Sequence, residues 1–148
     1  MIISEIRDKK TDKKIYAAFG EVMLRLSSPG FERLLQSPTL SATFGGAESN
    51  VLVSLSLLGL KARFLTALPK NDIALAAKSE LKRFGVDTDH IVFVPDSRMG
   101  IYFLEKGANQ RPSGVVYDRL PSAISDIDPN AIDWDSASKA ADGSIPPA

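Results

Sequence analysis

The stretch of this sequence best suited to chemistry is Phe44-Gly45-Gly46-Ala47-Glu48-Ser49-Asn50. It lies where an alternating segment, Leu40 to Phe44, gives way to a run of helical character, Ala47 to Leu58. Adjacent glycines let a backbone approach a bound molecule closely, and the unpaired N–H groups of a first helical turn favour oxygen-rich or anionic groups. Asn50 adds an amide with donors and an acceptor, which suits a sugar hydroxyl. The same residues also read as a tight turn followed by an ordinary helix cap, and spacing alone leaves both readings open. Neither G-x-x-x-x-G-K-[ST] nor G-x-G-x-x-G occurs in the sequence, so the glycines are not a standard nucleotide cradle.

Other polar residues offer less. His90 is the one histidine and has no partner cluster, so it reads as a loop residue and not as a metal ligand or base. Asp126, Asp128, Asp133 and Asp135 lack the spacing of a Ca²⁺ loop and read as helix caps. Trp134 reads as a core residue. Arg25 has two readings: it faces a substrate carboxylate, or strand alternation turns it outward.

The elements that must position these residues follow from the apolar pattern. Ile15 to Phe19 and Val22 to Leu26 read as one apolar strand interrupted at Gly20-Glu21, ended by Ser28-Pro29-Gly30. The helix from Ala47 to Leu58 stops at Gly59 and is apolar nearly all round, which predicts packing on more than one side. Ala62 to Leu68 is a strand, Asp72 a candidate N-cap for a helix over Ile73 to Phe84 that stops at Gly85, and Ile91 to Val94 a further strand. This alternation predicts a mostly parallel sheet with flanking helices, one face of it partly uncovered. Gly100 to Lys106 and Gly114 to Arg119 read as an antiparallel pair forming a flap. Residues 1–14, MIISEIRDKKTDKK, carry charges of both signs and are expected to form a fraying tail, with the domain running from 15 to 148. Short helical turns are expected at Asp128-Pro129 and Asp133-Trp134-Asp135.

Composition excludes several function classes. Of 148 residues 44% are hydrophobic and 24% charged, a globular balance, and 18 basic against 18 acidic side chains leave no basic field for a nucleic-acid backbone. With no cysteine, thiolate metal sites and thiol nucleophiles are ruled out. Apolar runs are interrupted well before the ~18 residues that a membrane helix needs. The start of the chain has no signal-peptide core, so a cytoplasmic location is expected.

Phe44 to Asn50, Val51 to Leu60 and the run Arg63-Phe64-Leu65-Thr66-Ala67-Leu68-Pro69-Lys70-Asn71-Asp72 together resemble the N-terminal signature of the ribokinase-like (PfkB) carbohydrate kinases. The resemblance is strongest to the 2-keto-3-deoxygluconate kinases. It continues through Gly85 to Val92, Gly100 to Glu105, Arg111-Pro112-Ser113 and Val116-Tyr117-Asp118-Arg119, and so covers roughly residues 15 to 135. It implies a ribokinase-like α/β fold, incomplete here, with a small antiparallel lid whose strands lie around 22–44 and 100–119. Gly45, Gly46, Ala47 and Asn50 would then hold the hydroxyl end of a sugar acid. Tyr102, Tyr117 and Arg119 would close over it, with Arg119 pairing the carboxylate bidentately.

This sequence departs from the family pattern at Leu52, where a small residue is common, and at Ala74, where glycine is common. It also lacks the aspartate that many family members carry near Arg25. The ending Ala141 to Pro147 looks like a shortened form of the family's next strand. The family's G-A-G-D motif, which supplies the general base and an anion hole, does not occur. The resemblance thus implies the substrate-binding half of a sugar-acid kinase, inactive as an isolated chain, with no cofactor of its own and with ATP and Mg²⁺ belonging to the complete enzyme. Implied partners are the sugar acid, a separate chain carrying the C-terminal half, and a second copy paired through the lid. A non-catalytic sugar-binding or regulatory remnant, or a truncated gene product, is the alternative.

Overall fold

A computed structural model describes residues 2–7 and 14–137. Among these residues eight strands form two four-stranded sheets. The first contains β1 (Ile2–Arg7), β2 (Lys14–Phe19), β5 (Lys61–Pro69) and β6 (Ile91–Val94), in the order β1-β2-β5-β6. β2, β5 and β6 run parallel, and β1 adds antiparallel to β2 with Ile2 opposite Phe19 and Arg7 opposite Lys14. Residues 2–7, expected within a charged tail, are therefore a strand. Three isoleucines in six residues supply the β preference that the charge count conceals, and β2 supplies a free edge for them to pair with.

β5 is buried from Ala62 to Pro69, as a parallel strand covered on both faces must be. On one face Phe64 and Leu68 pack with Ala18, Val22, Leu52 of helix α1 (Ala47–Leu57) and with Ala74, Ala77 and Leu81 of helix α2 (Asp72–Arg83). On the other, a smaller cluster of Ile15, Ala17, Leu65, Ile132 and Ala137 is closed by the segment that ends in the short helix α3 (Trp134–Ala137). That segment covers the face expected to be partly open. Asp128 caps a 3₁₀ turn at Pro129–Ala131. Trp134, read as core, is 44% exposed; it touches Phe19 edge-on at 5.4 Å and donates its indole N–H to the Pro129 carbonyl.

Two helix expectations change. α2 is capped by Asn71, whose side-chain oxygen accepts the Ala74 N–H at 3.0 Å, and Asp72 is the first helical residue, where its charge suits the positive end of the helix. α1 packs on one side only, through Ser49, Leu52, Val53 and Leu55, because β2 and β5 present it a single surface. Leu57 and Leu58 remain 68% and 77% exposed. Gly59 and Gly85 end the two helices at φ +81°, a conformation that glycine adopts without strain.

The second sheet holds the segments expected to form the lid. It contains β3 (Met23–Ser27), β4 (Ser41–Gly45), β7 (Ile101–Glu105) and β8 (Gly114–Asp118), in the order β4-β3-β7-β8. β3 pairs antiparallel with β4 and parallel with β7, and β7 pairs antiparallel with β8. The segment read as one interrupted strand is thus two strands in two sheets. Gly20, Glu21 and Val22 carry the chain across: Gly20 N–H still bonds the Leu65 carbonyl of the first sheet, while Leu24 N–H already bonds the Gly100 carbonyl beside β7. The ending from Ala141 to Pro147, read as a shortened strand, lies outside the described residues.

Candidate functional site

The strand-to-helix junction at Gly45-Gly46 is built by close packing. A Cβ on Gly46 would fall 2.0 Å from the Glu21 carbonyl oxygen, so only glycine lets β4 turn into α1 against the crossing segment. Gly46 caps α1 in extended conformation without a side-chain acceptor, which leaves first-turn N–H groups available to a ligand. Ser49 Oγ turns back onto the Gly46 carbonyl at 3.1 Å and is buried. Asn50 is exposed, and its side chain makes no hydrogen bond among the described residues.

Opposite this junction stand the lid side chains. Tyr102 and Tyr117 are register partners across β7 and β8, their rings 5.9 Å apart and tilted by 35°. A Cβ on Gly45 would lie 2.6 Å from the Tyr102 hydroxyl, which places that hydroxyl directly over the glycine turn. Arg119, one residue past β8, donates its Nε–H to Glu21 Oε2 at 2.5 Å. Its chain neighbour Asp118 is held instead by Arg98 at 2.6 and 2.8 Å. That contact holds the Asp118 carboxyl below its ordinary value and raises the Arg98 guanidinium.

Between these groups lies an open cleft of about 420 Å³, large enough for a six-carbon ligand. Gly45, Gly46, Ala47, Asn50, Tyr102, Tyr117 and Arg119 all line it, joined by Glu21, Met23 and Glu48. A neighbouring cleft of about 350 Å³ shares Glu21, Glu48 and Arg119. The combination of backbone N–H groups, an amide, two phenols and a guanidinium can bind a polyhydroxylated molecule bearing a carboxylate.

Glu21 is the cleft-lining partner of Arg119 that sequence reasoning passed over as an interruption of a strand. Its signal is a charge set inside an apolar run beside a glycine. Other candidates fall elsewhere. Arg25 donates its Nε–H to Thr43 Oγ1 at 2.8 Å and is absent from the cleft lining. His90 lies in the turn before β6, and no three carboxylate or imidazole groups gather as a metal site among the described residues. Asp128 and Asp133 accept backbone N–H groups from Asn130 and Ser136, as caps do.

The parallel α/β core and the second sheet beside it recur in solved structures of carbohydrate kinases. This chain belongs to the pfkB family of carbohydrate kinases, whose family model matches residues 14–141. It is 49% identical to a 2-dehydro-3-deoxygluconokinase from Thermotoga maritima whose crystal structure superposes with a TM-score of 0.79, over 83% of this chain and 37% of that one. A putative 2-keto-3-deoxygluconate kinase from Enterococcus faecalis is 32% identical with a TM-score of 0.75, over 82% of this chain and 36% of that one. A 2-dehydro-3-deoxygalactonokinase from Haloferax volcanii is 37% identical over 83% of this chain and 38% of its own length. The chain therefore spans a little over a third of the length of these relatives. No helix among the described residues is long and apolar enough to cross a membrane.

Proposed function

We propose that this chain forms the substrate-binding part of an ATP-dependent sugar-acid kinase acting on 2-keto-3-deoxygluconate or a similar sugar acid. The observation that carries this reading is the convergence in one cleft of the Gly45-Gly46 turn, Asn50, Tyr102, Tyr117 and Arg119, drawn from three regions of sequence. In the bound state, Asn50 and the α1 N–H groups hold the hydroxyl end. Arg119 pairs the carboxylate, and the tyrosines cover the carbon chain. The names of the relatives support a sugar acid over a neutral hexose.

Phosphoryl transfer needs a base, an anion hole and a nucleotide held in line. The 148 residues contain no G-A-G-D and no P-loop, so we assign the base, ATP and Mg²⁺ to residues other than these, whether in the same polypeptide or in a separate one. A Pyrococcus horikoshii sugar kinase of similar fold has been solved in complex with ATP. Calorimetric titration of the 148-residue chain with 2-keto-3-deoxygluconate tests the reading. Saturable binding that Arg119→Gln weakens supports it, and absence of binding by the unmodified chain overturns it. Sugar-dependent ADP formation by the purified chain alone would contradict the assignment of catalysis to other residues.

The lid edge carries a related reading. β8 is exposed along its length, with Val115, Val116 and Tyr117 all in contact with solvent, and an open strand edge invites pairing with a second copy. Light scattering that shows only monomer at high concentration would exclude it.

A further inference from the structure

Glu21 is 9% exposed and occupies the crossing point between the two sheets. One carboxylate oxygen accepts Arg119 Nε–H at 2.5 Å, and the other accepts the hydroxyl of buried Ser122 at 3.1 Å. Its surroundings fix it further. A Cβ on Gly100 would meet Glu21 Oε1 at 2.7 Å, and one on Gly46 would meet the Glu21 carbonyl, so both glycines make room for this residue. The guanidinium it holds is half exposed, and the terminal nitrogens of Arg119 make no hydrogen bond among the described residues. An arginine at the end of an edge strand would otherwise sample many rotamers, each of which must be given up on binding.

We infer that Glu21 is a positioning residue for carboxylate recognition: it tethers Arg119 through Nε and leaves the terminal N–H fork to receive the ligand's carboxylate. This inference rests on the sugar-acid reading above and adds a residue to it. The tether has two opposing effects, since the Glu21 charge also repels an anionic ligand. Orientation dominates, because Glu21 is anchored on both oxygens while Arg119 has no other fixed contact among the described residues. The effect should therefore depend on the ligand's carboxylate and on Arg119, and on nothing else in the cleft.

The test titrates the 148-residue chain with 2-keto-3-deoxygluconate and with 3-deoxyfructose, the same keto sugar with a hydroxymethyl group in place of the carboxylate. Glu21→Gln keeps the side-chain volume that Gly46 and Gly100 accommodate. It is expected to weaken the acid about fivefold to tenfold and to leave the neutral sugar unchanged. In an Arg119→Gln background the same substitution should have no further effect on the acid. Ser122→Ala, which frees one anchor of Glu21 but keeps its charge, should give a smaller loss with the same selectivity. It stands in if Glu21→Gln does not fold.

Equal losses for both ligands, an unchanged or tighter acid, or a full Glu21→Gln effect in the Arg119→Gln background would each overturn the positioning role. If Arg119→Gln weakens the acid selectively and Glu21→Gln does not, the inference fails while the sugar-acid reading stands. If the unmodified chain binds neither ligand, or binds both alike, both fail.

Discussion

Gly45 and Gly46 are neighbours in one turn, yet adding a methyl group to each should have opposite consequences. Neither has a positive φ, so alanine meets no backbone strain and the outcome depends on what its Cβ touches. At Gly45 the nearest atom is the Tyr102 hydroxyl at 2.6 Å, with the ring carbon Cζ already at an ordinary 3.7 Å. The hydroxyl must move from 2.6 Å to about 3.4 Å, a retreat that a small tilt of a half-buried side chain absorbs. The cost is at most the ~0.5–1.5 kcal/mol of an off-rotamer torsion.

At Gly46 the nearest atom is the Glu21 backbone oxygen at 2.0 Å, which cannot yield without shifting the crossing segment. Overpacking of this kind costs roughly 1–3 kcal/mol. Gly45→Ala is therefore expected to leave the thermal midpoint within about 5 °C of the unmodified chain. It displaces a cleft-lining hydroxyl, and if the cleft takes the sugar acid, affinity for 2-keto-3-deoxygluconate should fall about tenfold, equivalent to ~1.4 kcal/mol. Gly46→Ala should lower the midpoint by roughly 5 °C or more. Calorimetric titration and thermal unfolding on both variants decide the matter. A midpoint lowered as much by Gly45→Ala as by Gly46→Ala, or unchanged affinity in Gly45→Ala, would refute the placement of Tyr102 over the turn.

Asn50→Leu should reduce sugar-acid affinity about tenfold with little change in midpoint, because its amide has no protein partner among the described residues; a lower midpoint with unchanged affinity in the folded fraction would reject the binding role. Thr66→Val should raise stability by about 1 kcal/mol, since the Thr66 hydroxyl is wholly buried and unpaired among the described residues; a loss of stability on chemical denaturation would reveal an unseen partner. Burial alone would raise the Asp87 carboxyl, but the Asp89 N–H and the Arg63 guanidinium at 2.7 Å outweigh it and hold the group below its ordinary 3.8. Its contribution is therefore present above about pH 4 and lost as pH falls through the lowered value. Asp87→Asn should cost about 1–2 kcal/mol at pH 7, discounted for partial exposure. The gap from the unmodified chain should close in denaturation curves below pH 4.

The glycine pair and Asn50 could be read from sequence because their chemistry is local: turn, cap and amide fall within seven residues. The roles of Tyr102, Tyr117 and Arg119 came only from the family resemblance. Nothing in their spacing says that β7 pairs with β3, which is what brings residues nearly a hundred positions apart onto one cleft. The apolar run from Ile15 to Leu26 misled for a related reason: continuous hydrophobicity does not show which sheet a residue joins, and the change of partner happens within Gly20-Glu21-Val22. A carboxylate in such a run signals a polar demand at that point. Its counterion, Arg119, lies 98 residues away and could not be found by pattern. α1 misled in the opposite direction, because its apolar residues describe more surface than β2 and β5 cover.

The site and the core are assembled from different residues, and this separation governs how the protein can change. Phe64, Leu52 and Leu68, which hold the sheet to its helices, are essentially inaccessible and none lines the cleft. Asn50, Tyr117 and Arg119 line it and are exposed, so their side chains contribute little to burial. On the proposed reading, replacing them should alter what is bound without removing buried apolar area, the main source of stability. Glu21 is the exception, since it is buried, ion-paired and in the cleft at once. Substitution there is expected to act on packing as well as on recognition. A change of ligand preference is therefore more accessible through the lid tyrosines and Asn50 than through the crossing segment, where Gly46, Gly100 and Glu21 constrain one another.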